Sequence, residues 1–247
     1  MHAVYFLRSL IFYAGYASAV LIFGGIGCLV APWLTLRRRY WFLTRFNYFV
    51  LWWSRVACGI RYQLEGAEHI PPQPCVVLSN HESAWETYYL ATLFVPQSTV
   101  LKKELLSIPV FGWALRRLHP IAIDRQRPTH ALKQLVQQGK TRLENGSWVM
   151  IFPEGTRVRP GKTAKFNKGG ALLAHQAGVP ILPVAHTAGV CWPAGSVTKY
   201  PGLIRVRIGP LITGEGLSRD EMHERAEQWI RTAMAELKQD SQGEKPK

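Results

Sequence analysis

The pattern of apolar and polar positions divides the chain in two. From Ser9 to Leu36 no charged residue occurs, and Leu, Ile, Phe, Tyr, Val, Ala and Gly fill the run. A helix needs roughly 20 apolar residues to cross a bilayer, so this stretch is long enough. Next, Tyr40 to Ile60 mixes Trp, Phe, Tyr, Leu and Val with single arginines. That mixture suits a helix at the headgroup boundary, or equally one packed on a globular domain. Beyond it, short apolar runs alternate with segments striped at helical spacing. Strands are predicted at Arg61 to Glu65, Cys75 to Leu78, Ser98 to Lys102, Pro120 to Asp124, Trp148 to Phe152, Val179 to Ala185 and Ile204 to Ile208. Helices are predicted from Ser83 through Leu93, from Glu104 to Leu118 with a break near Pro109, from Thr129 to Leu143 and from Asn167 to Ala177. A last amphipathic helix carries Met222, Ala226, Trp229, Ile230, Ala233 and Leu237 on one face, and the polar tail from Lys238 is expected to fray.

Such alternation predicts an α/β fold: a mixed, largely parallel sheet flanked by helices, with ligands gathering at the carboxyl ends of strands. The expected organisation is a membrane anchor with an interfacial helix over residues 1–63, an α/β domain over 64–240, and a polar tail over 241–247.

Charge narrows the partners. The net charge of +14 calls for an anionic one: nucleic acid, a membrane surface or a phosphorylated substrate. No Asp or Glu precedes Glu65, whereas Arg8, Arg37, Arg38, Arg39, Arg45, Arg55 and Arg61 do. The triple arginine directly after the apolar run places the rest of the chain on the cytoplasmic side, at an inner or plasma membrane. Trp33, Trp41, Trp52 and Trp53 supply interfacial anchors. Two other readings of the run stay open. Ala17-Ser18-Ala19 resembles a signal-peptide cleavage site, although the apolar run continues past it. Gly24, Gly25, Gly27 and Pro32 also suit a helical hairpin lying in one leaflet. The basic run Arg157, Arg159, Lys162, Lys165 and Lys168 lacks a nucleic-acid motif or regularly interleaved aromatics, so anionic lipid is expected there and nucleic acid is not. Cys28, Cys58, Cys75 and Cys191 form no CxxC pair, and no HExxH pattern occurs, so neither a metal nor a cofactor is expected.

Candidate chemistry sits where the strand at Val76 to Leu78 stops. Ser83 and Glu86 have the spacing of a capping box, which leaves His81 on the strand-to-helix turn. Two residues five apart on one helix would point about 140° from each other, whereas a histidine in the turn can fold back onto Glu86. His81 is then a candidate general base and Glu86 the group that orients it. The competing reading is that Glu86 only caps the helix and His81 is a polar loop residue. Two further strand ends carry Arg125 and the run Glu154, Gly155, Thr156 and Arg157. A guanidinium can hold a phosphate through two hydrogen bonds, Thr156 supplies a hydroxyl, Gly155 admits close approach, and Glu154 can accept from a ligand hydroxyl. Arg125 has a plain alternative as the ion-pair partner of a surface acid.

Together these residues resemble a known family. Asn80-His81 with an acid five residues after the histidine, Ile123-Asp124-Arg125, Phe152-Pro153-Glu154-Gly155-Thr156-Arg157, and Val179-Pro180-Ile181-Leu182-Pro183-Val184 are similar to the ordered blocks of the 1-acyl-glycerol-3-phosphate acyltransferases. The resemblance implies transfer of an acyl chain from acyl-CoA or acyl carrier protein to the sn-2 hydroxyl of 1-acyl-glycerol-3-phosphate, with phosphatidic acid as product. His81 would be the base and Glu86 its orienter, while Arg125, Glu154, Gly155, Thr156 and Arg157 would bind the glycerol phosphate. The partner acid departs from the pattern, being Glu86 where many members have Asp. Rival readings are acylation of another lysophospholipid or lyso-aminolipid, and a basic, membrane-tethered binding protein without catalysis.

Overall fold

The computed structural model describes residues 2–124 and 127–243. Helix α1 (His2–Ala19) continues through a π turn at Val20–Gly24, α2 (Gly25–Val30) and a 3-10 turn at Ala31–Trp33. Pro32 and the extended residues that follow stop the run, and Thr35 caps α3 (Leu36–Cys58) by accepting from the Arg38 amide. Helix α3 returns antiparallel to α1: Trp53 Nε1 donates to the Phe12 carbonyl at 3.1 Å, and Arg8 Nε to the Ala57 carbonyl at 2.8 Å. The apolar run itself stays helical from His2 to Trp33, and the chain turns back only after it, so that α1 and α3 form a hairpin. The run His2–Trp33 is also long and apolar enough to cross a membrane, with 22% of its most apolar window buried.

One face of α1 docks on the rest of the chain. Ser9 Oγ accepts from the Lys199 amide at 2.9 Å, Phe12 packs edge-on to Trp192, and the hydroxyls of Tyr16 and Tyr88 pair at 2.8 Å. Lys199 is buried, and its ammonium lies 4.8, 3.7 and 4.5 Å from the ring centroids of Phe12, Tyr13 and Trp192. Burial lowers its pKa to about 8, and the ring faces replace part of its lost hydration.

The following chain alternates as expected. It runs β1 (Ile60–Glu65), β2 (Val76–Ser79), α4 (Trp85–Leu93), β3 (Gln97–Lys102), α5 (Phe111–Arg116), β4 (Ile121–Ile123), α6 (Pro128–Glu144), β5 (Trp148–Ile151), α7 (Gly169–Ala177), β6 (Ile181–His186), α8 (Ala188–Cys191), β7 (Gly202–Ile208) and α9 (Arg219–Gly243). The strands form one seven-stranded sheet in the order β1-β7-β6-β2-β5-β3-β4. Every pairing is parallel except β6 with β7, so β1 and β7 oppose the other five strands. The sheet is mixed and largely parallel, as the alternation predicted. The boundary expected between residues 63 and 64 falls inside β1, which belongs to the sheet.

Successive strand residues point to opposite faces, and here both faces are buried. Val77, Met150, Leu182 and Val184 share a core with Phe12, Val50, Trp85 and Tyr89 of the hairpin and α4. Val76, Leu78, Val149, Ile151 and Ile181 face the other way, against Leu135, Leu173, Ala226 and Ile230. Over residues 238–243 the expected fraying is corrected, since α9 is helical through Gly243 and Lys238 is tied into the domain, and the remainder of the expected tail, 244–247, lies outside the described residues.

Candidate active site

The central strands β2 and β5 lie side by side and parallel, so the turns that leave them meet on one edge of the sheet. From the first turn, His81 Nδ1 lies 2.7 Å from Glu86 Oε1. The same oxygen accepts from the amides of Glu82 at 3.0 Å and Ser83 at 2.8 Å, while Ser83 Oγ accepts from the Trp85 amide at 3.1 Å. Glu86 thus binds the turn that leads into α4 and the imidazole through the same oxygen, while the helix itself starts one residue later than the capping-box spacing implied, with Ala84 at its N-cap. It is fully buried, and its Oε2 has no hydrogen-bond partner. Burial pushes the carboxyl up, but the neighbouring His186, the hydrogen bond and charge of His81 and the Ser83 amide outweigh it, leaving the carboxyl below the ordinary value. With Nδ1–H donated to Glu86, the His81 ring carries its lone pair on Nε2.

The second turn closes over the first. The His81 amide donates to Glu154 Oε2 at 2.6 Å, and the Val158 amide donates to the His81 carbonyl at 2.7 Å. Phe152 stacks on the imidazole with ring centroids 4.1 Å apart. Gly155 bends the chain between them at φ 70°, a conformation that L side chains rarely adopt. Asn167 braces the turn through its amide and its side chain, each bonded to the Pro153 carbonyl at 2.8 Å. Glu154 is half-buried. Burial, with the charges of Glu82 and Glu86 adding to it, raises its pKa to about 8 against the opposing His81 hydrogen bond.

His81, Glu154, Gly155, Thr156 and Arg157 all line one cavity of about 1060 Å³. Away from them the lining becomes apolar, passing Leu101 and Leu135 toward Leu43, Val20 and Phe23 of the hairpin. Arg157 and Thr156 are exposed at the polar end. Arg125 lies outside the described residues. The cavity therefore joins the imidazole of His81, which Glu86 holds from behind, with a cationic turn and room for a hydrocarbon chain.

Three supporting contacts escaped the sequence reading. Asn80 and His186 exchange backbone-to-side-chain bonds at 3.0 Å, and His186 Nε2 lies 2.7 Å from the Asn80 carbonyl, which pins the residue before His81 to the end of β6. The Ala188 amide donates to His186 Nδ1 at 3.2 Å, so the proton is on Nε2. Buried Glu82 is held by Lys238 Nζ at 3.3 Å and by the Gly189 amide at 3.3 Å. Asn80 lies 106 residues from His186, and Glu82 lies 107 from Gly189, so only the adjacency of Asn80 and Glu82 to His81 hinted at these contacts.

A family model described as Acyltransferase matches residues 61–187, which contain the whole of both turns. The 1-acyl-sn-glycerol-3-phosphate acyltransferase of Pseudomonas aeruginosa is 48% identical over 242 residues, covering 96% of this chain and 94% of that one. The human 1-acyl-sn-glycerol-3-phosphate acyltransferase alpha is 32% identical over 191 residues, covering 75% and 68%. Among solved structures, the 1-acyl-sn-glycerophosphate (LPA) acyltransferase of Thermotoga maritima superposes with a TM-score of 0.79 over 96% of this chain and 98% of that one, and at 24% identity it speaks to the fold alone. With the paired turns in place and these relatives beside them, the chain belongs to the 1-acyl-sn-glycerol-3-phosphate acyltransferase family of acyltransferases.

Proposed function

We propose that the protein transfers an acyl chain from an acyl thioester, acyl-CoA or acyl carrier protein, to the sn-2 hydroxyl of 1-acyl-glycerol-3-phosphate, giving phosphatidic acid. The observation that carries this reading is the cavity that His81, paired with Glu86 behind it, shares with the turn Glu154 to Arg157. His81 Nε2 takes the proton of the acceptor hydroxyl as that oxygen attacks the thioester carbonyl. Donors of the turn at Thr156 stabilise the oxyanion of the tetrahedral intermediate. Its collapse breaks the carbon–sulfur bond, and the imidazolium returns the proton to the leaving thiolate. No protein nucleophile is needed, because the acceptor brings its own. Glu86 balances the transient positive charge on the ring, and Arg157 holds the phosphate, aided by Arg125. The apolar arm of the cavity suits an acyl chain.

The substrates are amphiphiles, and the exposed apolar side of the hairpin fits a seat in the cytoplasmic leaflet. Arg37 and Arg38 there meet anionic headgroups.

The test is incubation of the purified, detergent-held protein with acyl-CoA or acyl carrier protein and a panel of lysolipids, followed by product identification. Phosphatidic acid should dominate; a preference for a lysolipid lacking the phosphomonoester would reject the acceptor assignment. Arg157→Ala should raise KM for the phosphorylated acceptor by about tenfold or more while leaving KM for the thioester within about twofold. Equal effects on both would reject its role.

A further inference from the structure

Between β3 and β4 the chain makes an excursion that carries none of the proposed reacting or phosphate-binding residues: a 3-10 turn at Lys103–Ser107, then α5. Val110 joins them at φ 60° and ψ −61°, and the Phe111 amide donates to the Pro109 carbonyl at 2.6 Å. This is a γ-turn that a β-branched residue adopts only under strain, and strain of this kind collects at functional segments. The turn divides the side chains of the excursion. Phe111, Ala114 and Leu115 line the cavity, whereas Ile108 and Trp113 point away and are 43% and 51% exposed. Leu105 belongs to both surfaces, lining the cavity and remaining 39% exposed.

The excursion leans on the bend of the hairpin. Helix α5 packs against the π turn and α2. Val110 Cγ1 sits 2.8 Å from where a side chain on Gly24 would begin, Cys28 Sγ reaches the Val110 carbonyl at 3.9 Å, and Arg39 Nη1 the Arg117 carbonyl at 3.4 Å. At that bend Leu21, Ile22, Ile26 and Leu29 are themselves exposed. Two segments distant in sequence thus present adjoining apolar surface, bordered by exposed Arg37, Arg38, Arg116 and Arg117. Scattered exposed apolar residues are ordinary; a joined patch with a one-signed rim marks an interaction surface. The arginine rim complements anionic headgroups above a hydrocarbon layer. It opposes a second copy of the chain, whose matching patch would bring arginines against arginines.

We propose that the excursion 103–117 is a second lipid-inserting element: Ile108 and Trp113 enter an anionic leaflet beside the hairpin bend, and the acyl arm of the cavity opens there on hydrocarbon instead of water. This rests on the leaflet seat proposed above for the hairpin, and the test separates the two. In the full chain carrying Cys28→Ser, nitroxide labels are placed at Ile108→Cys and, separately, at Leu29→Cys. Collision with oxygen and with a water-soluble nickel chelate is measured before and after adding vesicles of phosphatidylglycerol and phosphatidylcholine. Both labels should gain oxygen contact and lose nickel contact. A gain at position 29 without one at 108 overturns the second element and leaves the hairpin seat standing; no gain at either position overturns both.

A second measurement uses Ile108→Glu with Trp113→Glu, neither of which lines the cavity. Partitioning into the same vesicles should weaken by about tenfold, with turnover on short-chain, water-soluble substrates unchanged. Unaltered partitioning overturns the proposal. So does a loss of self-association in detergent with no change in vesicle binding, which would make the patch a contact between copies.

Discussion

At the scale of single residues, the site is governed by carboxylates crowded around one imidazole. Glu86 takes the ring, Glu154 takes the backbone amide of the same residue, and Glu82 is buried beside them. Crowding and burial leave Glu154 with a pKa of about 8, against an ordinary 4.5. Its folded-state pKa being the higher, the stability it contributes is fully present below about pH 4.5 and is lost as pH rises through about 8. Glu154→Gln keeps an oxygen to accept the His81 amide and cannot ionise. Denaturant midpoints across this window should therefore fall less steeply with pH in the variant than in the parent chain; parallel curves would refute the assignment. The turn holding His81 was legible in the sequence, because an apolar run ending at a capping-box spacing states where a strand stops and a helix starts. The bracing of Asn80 by His186 was not, since no local pattern marks a partner 106 residues away.

At the scale of elements, the sheet delivers the chemistry and α9 secures it. Short apolar runs announced the strands, and Gly146 and Gly178 marked the helix ends with φ of 74° and 66°. Strand direction stayed hidden, because periodicity is the same for β7 running either way. The end of α9 was misjudged for a related reason: polarity along a helix says nothing of a buried acid waiting elsewhere. Lys238 is that acid's cation, reaching Glu82, whose side chain is 2% exposed. Lys238→Met should cost about 1–3 kcal/mol in chemical denaturation, less than a fully buried pair because the lysine is partly solvated. Adding Glu82→Gln should recover most of the loss. A double variant as unstable as the sum of the singles would show that the two residues do not interact.

At the scale of the whole molecule, charge and apolar surface are segregated. The chain before Glu65 carries seven arginines and no acid, next to the apolar hairpin, so the anionic partner foreseen from a net charge of +14 is expected on that side. Arg37→Gln with Arg38→Gln should weaken binding to phosphatidylglycerol vesicles by about 2 kcal/mol, and the difference should shrink as salt is raised. Equal binding by the two proteins in a flotation assay would remove the arginines from the interface. Composition says that the run is apolar enough for a membrane, with glycines and Pro32 suiting a span or a bend; what it could not say is tertiary, the docking of Ser9, Phe12 and Tyr16 onto the α/β domain. The whole arrangement serves one imidazole, and the most direct test is turnover by purified His81→Ala with acyl-CoA and 1-acyl-glycerol-3-phosphate, alongside circular dichroism to verify folding. The variant should stay folded and lose about 10²- to 10⁴-fold in kcat; a folded variant with near-parental turnover would contradict the account.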